Sequence, residues 1–223
     1  MTHLLKKIHN FFLLFGINIS FVKKPLNIEA LKHNSKENLD AFYANQENVN
    51  QYLVTERLEF YSNVVALLQE KKMDLNNKSV VDVGCGTGHL LLYISKIFSH
   101  ANLYGLEYVD SALNIARKNV PSANFMHYDV YNELNQKFDF VFCTEVLEHL
   151  THPTKGIINL VKMLYPGGVL LLTVPNGRID TYEGHINFWS PESWKVFLEE
   201  SVGGKNFESS TFGVMDLYAL VYG

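Results

Sequence analysis

Residues 80–90, Val-Val-Asp-Val-Gly-Cys-Gly-Thr-Gly-His-Leu, constrain the fold of this chain more than any other stretch. A short β-branched run, three glycines at alternate positions and the apolar spacing of Leu91, Leu92, Ile94, Ile97 and Phe98 describe a strand, a tight turn and the start of a helix. Gly84, Gly86 and Gly88 remove the Cβ atoms that would keep a ligand away from the turn, and the helix beginning near Gly88 points unpaired N–H groups at it. A dinucleotide fingerprint places its third glycine five positions after the first, where this chain has His89. The competing account of the glycines is that they only let the helix pack on its strand.

Beyond the turn, strand and helix patterns alternate, which predicts a doubly wound parallel sheet. Residues 102–106 read as a second strand with Glu107 at its tip, and Asp110 as the cap of a helix through Ser111, Ala112, Ile115 and Ala116. A carboxylate at that tip can accept hydrogen bonds from two ribose hydroxyls; the bland alternative is a solvated loop acid. Residues 124–128 form a third strand ending in Asp129, for which an Asx turn is the rival explanation. Residues 138–143 form a fourth, followed by Thr144-Glu145-Val146-Leu147-Glu148-His149-Leu150. Tyr165-Pro166-Gly167-Gly168 reads as a helix stop and turn before a fifth strand at residues 169–174 and the loop Pro175-Asn176-Gly177. Ser190 and Pro191 open a helix, and residues 206–211 and 217–222 give two final strands. Ligands of such sheets sit outside the carboxyl ends of the strands at the switch in strand order, here between the first and fourth, so residues 145–149 face the ligand.

With 223 residues and 47% hydrophobic content the chain can bury one sizeable core. A formal charge of −4 and a pI near 6.1 argue against a sequence-independent grip on nucleic acid. Cys85 and Cys143 are the only cysteines, which suits free thiols in a reducing compartment and small buried side chains. Residues 1–25 form a basic apolar segment, expected to be helical, whose apolar run of about 15 residues falls short of the roughly 20 needed to span a bilayer. No small-x-small cleavage site follows it. Lysines at both ends fit an interfacial helix in peripheral membrane contact through residues 1–24; the alternative is a helix packed on the domain or used between copies. Residues 26–75 are polar and helical, with apolar spacing through Tyr52, Leu58, Tyr61, Val64, Val65, Leu67 and Leu68, and residues 76–223 are expected to form the strand-and-helix domain.

Asp82 followed by Gly-x-Gly-x-Gly resembles the first motif of class I S-adenosylmethionine-dependent methyltransferases, and the resemblance continues in order to about residue 177. It implies an α/β, Rossmann-like, seven-stranded, mostly parallel sheet of order 3-2-1-4-5-7-6, its last strand antiparallel, with helices on both faces. The implied cofactor is S-adenosylmethionine: Asp82, Gly84, Cys85, Gly86 and Gly88 around its amino-acid part, Glu107 and Tyr108 at the ribose, Asp129 and Val130 at the adenine, and Thr144 alongside. In this class an N-terminal helical segment lies over the cofactor as a lid, which makes Tyr43, Tyr52 and Arg57 candidate contacts to cofactor or acceptor. Surface and packing roles are the competing account of these three.

Within the class, Glu145-Val-Leu-Glu-His149 and Val174-Pro-Asn176, followed by a histidine and an aromatic helix start, look like the branch containing ubiquinone-pathway O-methyltransferases and enzymes of bacterial surface-glycan pathways. This implies cytoplasmic methyl transfer to an oxygen of a small-molecule or saccharide acceptor, with His149 as base beside Glu148 and with Asn176 and His185 toward the acceptor. A second reading places a divalent metal (Mg, Mn, Fe or Zn) on Glu145, Glu148, His149 and His185. The spacing i, i+3, i+4 would let one helical turn aim the first three at one point, and the set resembles the metal site of small-RNA terminal 2′-O-methyltransferases. Methylation of nitrogen, of an RNA terminus, or a non-catalytic cofactor-binding module are the remaining alternatives.

Overall fold

A computed structural model describes residues 32–223, so the expected interfacial helix at residues 1–25 lies outside the described residues. The helical segment contains α1 (Lys36–Ala44), α2 (Gln46–Asn50), a 3-10 turn (Gln51–Leu53) and α3 (Thr55–Glu70). There follow β1 (Ser79–Val83), α4 (His89–Ile97), β2 (Asn102–Glu107), α5 (Asp110–Asn119), β3 (Asn124–His127) and β4 (Phe138–Thr144). A 3-10 turn (Leu147–His149), α6 (Pro153–Lys162), β5 (Leu164–Pro175), α7 (Pro191–Ser201), β6 (Phe207–Phe212) and β7 (Asp216–Tyr222) complete the chain.

The seven strands form one sheet of order β3-β2-β1-β4-β5-β7-β6, parallel from β3 to β5, with β7 antiparallel to both of its neighbours. The inner strands are apolar almost throughout because helices cover both faces. Alternate side chains go to opposite sides: Val81, Val83, Val141 and Cys143 join one core cluster, Val80, Phe140 and Phe142 the other. Asp82 has Gly105 on one side and Phe142 on the other in register, so the end of β1 lies at the switch point, flanked by β2 and β4. No helix among the described residues is long and apolar enough to cross a membrane.

Two local expectations change. Asp110 does not cap α5: Val109 occupies that position without a side-chain cap bond, and Asp110 is the first helical residue. The Glu107 carboxylate already takes the N–H groups of Tyr108 and Val109, while Asp110 pairs with Lys36 and His127 and still favours the helix dipole. Tyr165-Pro166-Gly167-Gly168 is not a turn before the fifth strand but a bulge within it. Pairing jumps from Phe138 with Leu164 to Phe140 with Val169, and Gly167 takes a φ of +78°. Ser190 caps α7 with Pro191 at its first turn, as expected, and the other strand ends move by about one residue.

Candidate functional site

A cavity of about 1160 Å³ opens at the carboxyl ends of the central strands, between the glycine turn, the segment α1–α3 and the loop after β5. The glycines do different work along its floor. Gly84, Gly86 and Gly88 all have positive φ, at +77°, +50° and +79°. A Cβ on Gly84 would come within 2.4 Å of Val146, and one on Gly88 within 3.2 Å of Ala116, so these two do serve packing. Gly86 faces the cavity, with the Tyr43 hydroxyl 3.3 Å from where its Cβ would stand.

Asp82 is 2% exposed, and its Oδ1 has no hydrogen-bond partner. Burial and then the neighbouring Glu107 push its pKa up to about 8. Glu107 accepts from the Gly86 N–H at 2.8 Å through Oε2, and from Tyr108 and Val109 at 2.7 and 3.0 Å through Oε1. Three of the roughly four acceptor directions of a carboxylate are thus held by backbone. Burial raises its pKa against the pull of those three N–H groups. Asp129 accepts from the Tyr131 N–H at 2.9 Å, the Asx geometry, and lies on the cavity wall with Val130, Tyr108, Thr144 and Cys85. Burial pushes the Cys85 thiol well above its ordinary pKa, which keeps it protonated.

The helical segment spans this turn. The Ser111 hydroxyl donates to Asp40 at 2.9 Å, Lys36 reaches Asp110, and the hydroxyls of Tyr43 and Tyr52 share a 2.7 Å hydrogen bond. Tyr52 and Tyr61 both stack on His89, whose Nδ1 lies 2.7 Å from the Thr87 hydroxyl. His89 entered the sequence argument only as the residue that breaks a dinucleotide pattern. Nothing in the local pattern forecasts that two tyrosines of the helical segment use its ring.

On the opposite wall the expected helical turn of ligands does not form. Glu145 sits before the 3-10 turn with φ +56°, accepts from the Thr173 hydroxyl at 3.0 Å, and has Arg57 at 3.8 Å. A left-handed residue breaks the helical spacing, which leaves Glu145 out of the cluster. Burial and then Asp216 raise its pKa to about 7, against Arg57 and Thr173. Glu148, His149 and His185 do converge, with one ligand atom of each within 4.8 Å of the others. Glu148 is 1% exposed and both of its carboxylate oxygens lack partners; the Nε2 atoms of His149 and His185 each lie 3.9 Å from its Oε1.

The far side of each imidazole fixes its tautomer. His149 Nδ1 lies 3.2 Å from the carbonyl oxygen of Gly184, which can only accept, so that nitrogen carries the proton. His185 Nδ1 donates to Asp180 at 2.6 Å. Both Nε2 lone pairs therefore face the Glu148 carboxylate. Burial and then His185 lower His149 to a pKa of about 4; burial lowers His185 as well, against Asp180. Burial and then Glu145 raise Glu148.

Asp180 and Gly184 escaped the sequence reading because their roles depend on a loop closing back onto residues 148 and 149. Asn176 departs from its expected place. It is buried and bonded to Val214, Met215 and Arg178 rather than lining the cavity, because the loop backbone needs those partners.

A family profile described as "Methyltransferase domain" matches residues 51–201. A malonyl-[acyl-carrier protein] O-methyltransferase of Halalkalibacterium halodurans is 30% identical over 56% of this chain and 49% of its own length. The chain thus spans about half of that relative. A ubiquinone biosynthesis O-methyltransferase of Rickettsia bellii is 25% identical over 71% of each chain. The fold is shared with the N-methyltransferase NodS of Bradyrhizobium japonicum, solved with S-adenosyl-L-homocysteine, at a TM-score of 0.67 and 19% identity over 85% of this chain and 98% of that one. With the glycine turn, the strand order and a profile match over most of its length in agreement, the chain belongs to the class I S-adenosylmethionine-dependent methyltransferase family.

Proposed function

We propose that the chain transfers a methyl group from S-adenosylmethionine to an oxygen of a small, hydroxylated, sugar-like acceptor, in the cytoplasm and in a surface-glycan or comparable biosynthetic route. The observation that carries this reading is the pair of Nε2 lone pairs aimed into the cavity beside Glu148, opposite the glycine turn. The residues present fit the cofactor. The unpartnered, buried Oδ1 of Asp82 suits an ammonium group, and the Gly86 surface admits a ligand that a side chain would exclude. Glu107 keeps one acceptor direction for a ribose hydroxyl, with Tyr108 beside it; Asp129 and Val130 take the adenine, and Thr144 and Cys85 complete the wall. When bound, S-adenosylmethionine supplies a methyl group on a positive sulfur, open to attack from the side opposite that sulfur.

The protein's part is to hold the acceptor in line, to exclude water under the described part of the 26–75 segment, residues 32–75, acting as a lid, and to take the hydroxyl proton. His149, neutral because burial lowers its pKa, accepts that proton at Nε2, with Glu148 beside it. Tyr52, Arg57 and His185 line the same cavity and are the proposed acceptor contacts, and Tyr43 stands over Gly86. The printed names of the two O-methyltransferase relatives support oxygen as the acceptor atom.

An acceptor screen read by S-adenosylhomocysteine release tests this: turnover with hydroxylated acceptors should fall about 100-fold or more in His149→Ala, the size of a lost general base. Full activity of that variant on an amine acceptor would instead identify an N-methyltransferase. The basic apolar segment at residues 1–24 belongs to the same reading as a peripheral membrane contact, and full-length protein should sediment with anionic vesicles.

A second reading adds a divalent metal at Glu148, His149 and His185. Three groups that offer lone pairs converge there, with no donor among them at hydrogen-bonding distance. That donor set fits Mg²⁺, Mn²⁺, Fe²⁺ or Zn²⁺, and such an ion would supply Lewis acidity to an acceptor hydroxyl. Titration calorimetry with Mn²⁺ should show one site, lost in Glu148→Ala and His185→Ala, and excess EDTA should abolish turnover. Undiminished turnover in EDTA leaves His149 as base alone.

A further inference from the structure

We propose that Asn34 is a positioning residue, tying the helix that covers the glycine turn to the imidazole of His149 through the carbonyl of Gly184. The inference rests on the reading of His149 as the group that meets the acceptor. The Gly184 carbonyl oxygen accepts two hydrogen bonds: one from His149 Nδ1 at 3.2 Å and one from Asn34 Nδ2 at 2.9 Å. Asn34 lies immediately before Ser35, which caps α1 by accepting from the N–H of Asn38. The opposite flank of α1 is bound to the cofactor half of the fold, through Asp40 to Ser111 and Lys36 to Asp110, and Tyr43 stands over Gly86. One short helix thus touches the turn that holds the cofactor and, at its start, the loop that sets the histidine.

The loop has few other hydrogen bonds of its own. Thr181, Tyr182 and Glu183 are exposed, whereas Gly184 is buried, with no room for a Cβ beside the Tyr182 ring. Inside residues 181–184 the hydrogen bonds are the Tyr182 N–H on Asp180, the His185 N–H on the Tyr182 carbonyl, and the two bonds to the Gly184 oxygen, and the Tyr182 ring stands edge-on to the rings of His149 and His185. Past them the Ile186 and Asn187 N–H groups bind the Glu148 carbonyl. The Asn34 side chain joins this loop to the covering segment by a hydrogen bond across 150 residues of sequence. Its amide holds the Gly184 carbonyl in the direction that keeps the proton on His149 Nδ1 and leaves Nε2 bare. When a ligand on the glycine turn seats α1, the same contact seats the acceptor-side histidine.

The test uses full-length protein and readouts that need no turnover. Long-range ¹H–¹⁵N spectra should show His149 as the Nδ1–H tautomer in wild type and as a mixture of tautomers in Asn34→Ala and Asn34→Asp, neither of which can donate to the carbonyl. S-adenosylhomocysteine should slow amide exchange at residues 182–186 by about tenfold in wild type and less than about twofold in either variant, while its affinity stays within about twofold. Where an acceptor is in hand, kcat should fall about 10-fold with the cofactor KM unchanged, the size of a misplaced reacting group. A wild-type tautomer signature in both variants, or retention of the ligand-dependent protection, overturns the proposal. Absence of methyl transfer in the wild type with the spectral and exchange effects intact would instead count against the proposed reaction, so the two failures are distinguishable.

Discussion

Asp82 is a buried carboxyl group whose acidity is set by its burial and by the neighbouring Glu107. Its folded pKa of about 8 exceeds the usual carboxylate range, so its contribution to stability is complete at low pH and is lost as pH rises from about 4 to about 8. His149 has the opposite sign: its pKa is depressed to about 4, so its contribution is present above about 6.5 and lost as pH falls toward 4. Thermal denaturation of the ligand-free protein between about pH 5 and 8 should therefore show a decline toward alkaline pH that Asp82→Asn flattens. Binding of a ligand ammonium should ionise Asp82 and release close to one proton at pH 7, read as a dependence of the calorimetric heat on buffer ionisation. The variant should release none. Glu107→Ala should weaken S-adenosylhomocysteine binding by about 1–3 kcal/mol. It should also lower the melting temperature, because the N–H groups of Gly86, Tyr108 and Val109 lose their acceptor.

Close packing of strands and helices decides which substitutions the scaffold tolerates. A Cβ on Gly105 would stand 2.4 Å from the Phe125 ring and 2.9 Å from Cys85 Sγ, so Gly105→Ala should cost about 1–3 kcal/mol in denaturant unfolding. Combined with Phe125→Ala the cost should shrink, which a double-mutant cycle measures. The elements themselves were largely legible, since two-sided burial writes β1, β4 and β5 as apolar runs and the glycine turn announces α4. Ser190 and Pro191 announced α7 in the same way. Less legible were features that depend on partners distant in sequence. Asp110 looks like a cap until Glu107 is seen to hold the N–H groups before it, and Pro166-Gly167-Gly168 reads as a turn because the register shift against β4 leaves no local trace. Glu145 fits helical spacing with Glu148 and His149, yet the bond from Thr173 and its left-handed backbone take it elsewhere. In the same way Asn176, placed near the acceptor by motif order, is used up in holding the loop to residues 214 and 215.

At the scale of the molecule, every strand among the described residues begins at or after Ser79, so a chain lacking residues 1–24 should keep its cofactor affinity and melting temperature. A fall in either would show that the segment packs on the domain. The strand order has a further consequence for how the protein is made. β1 gains β2 on one edge, and β2 gains β3, soon after synthesis, but the other edge of β1 waits for β4, with Val80 and Val81 facing no partner on that side until Phe140 and Val141 arrive. During synthesis the glycine turn and its two acids therefore leave the ribosome ahead of both histidines. For that interval the nascent chain is a half-sheet with an open apolar edge, prone to pair with a strand from a neighbouring chain. If a ligand seats on the turn at that stage it would steady the half already made, so depleting the cofactor during synthesis should lower the yield of folded protein, read as the soluble fraction.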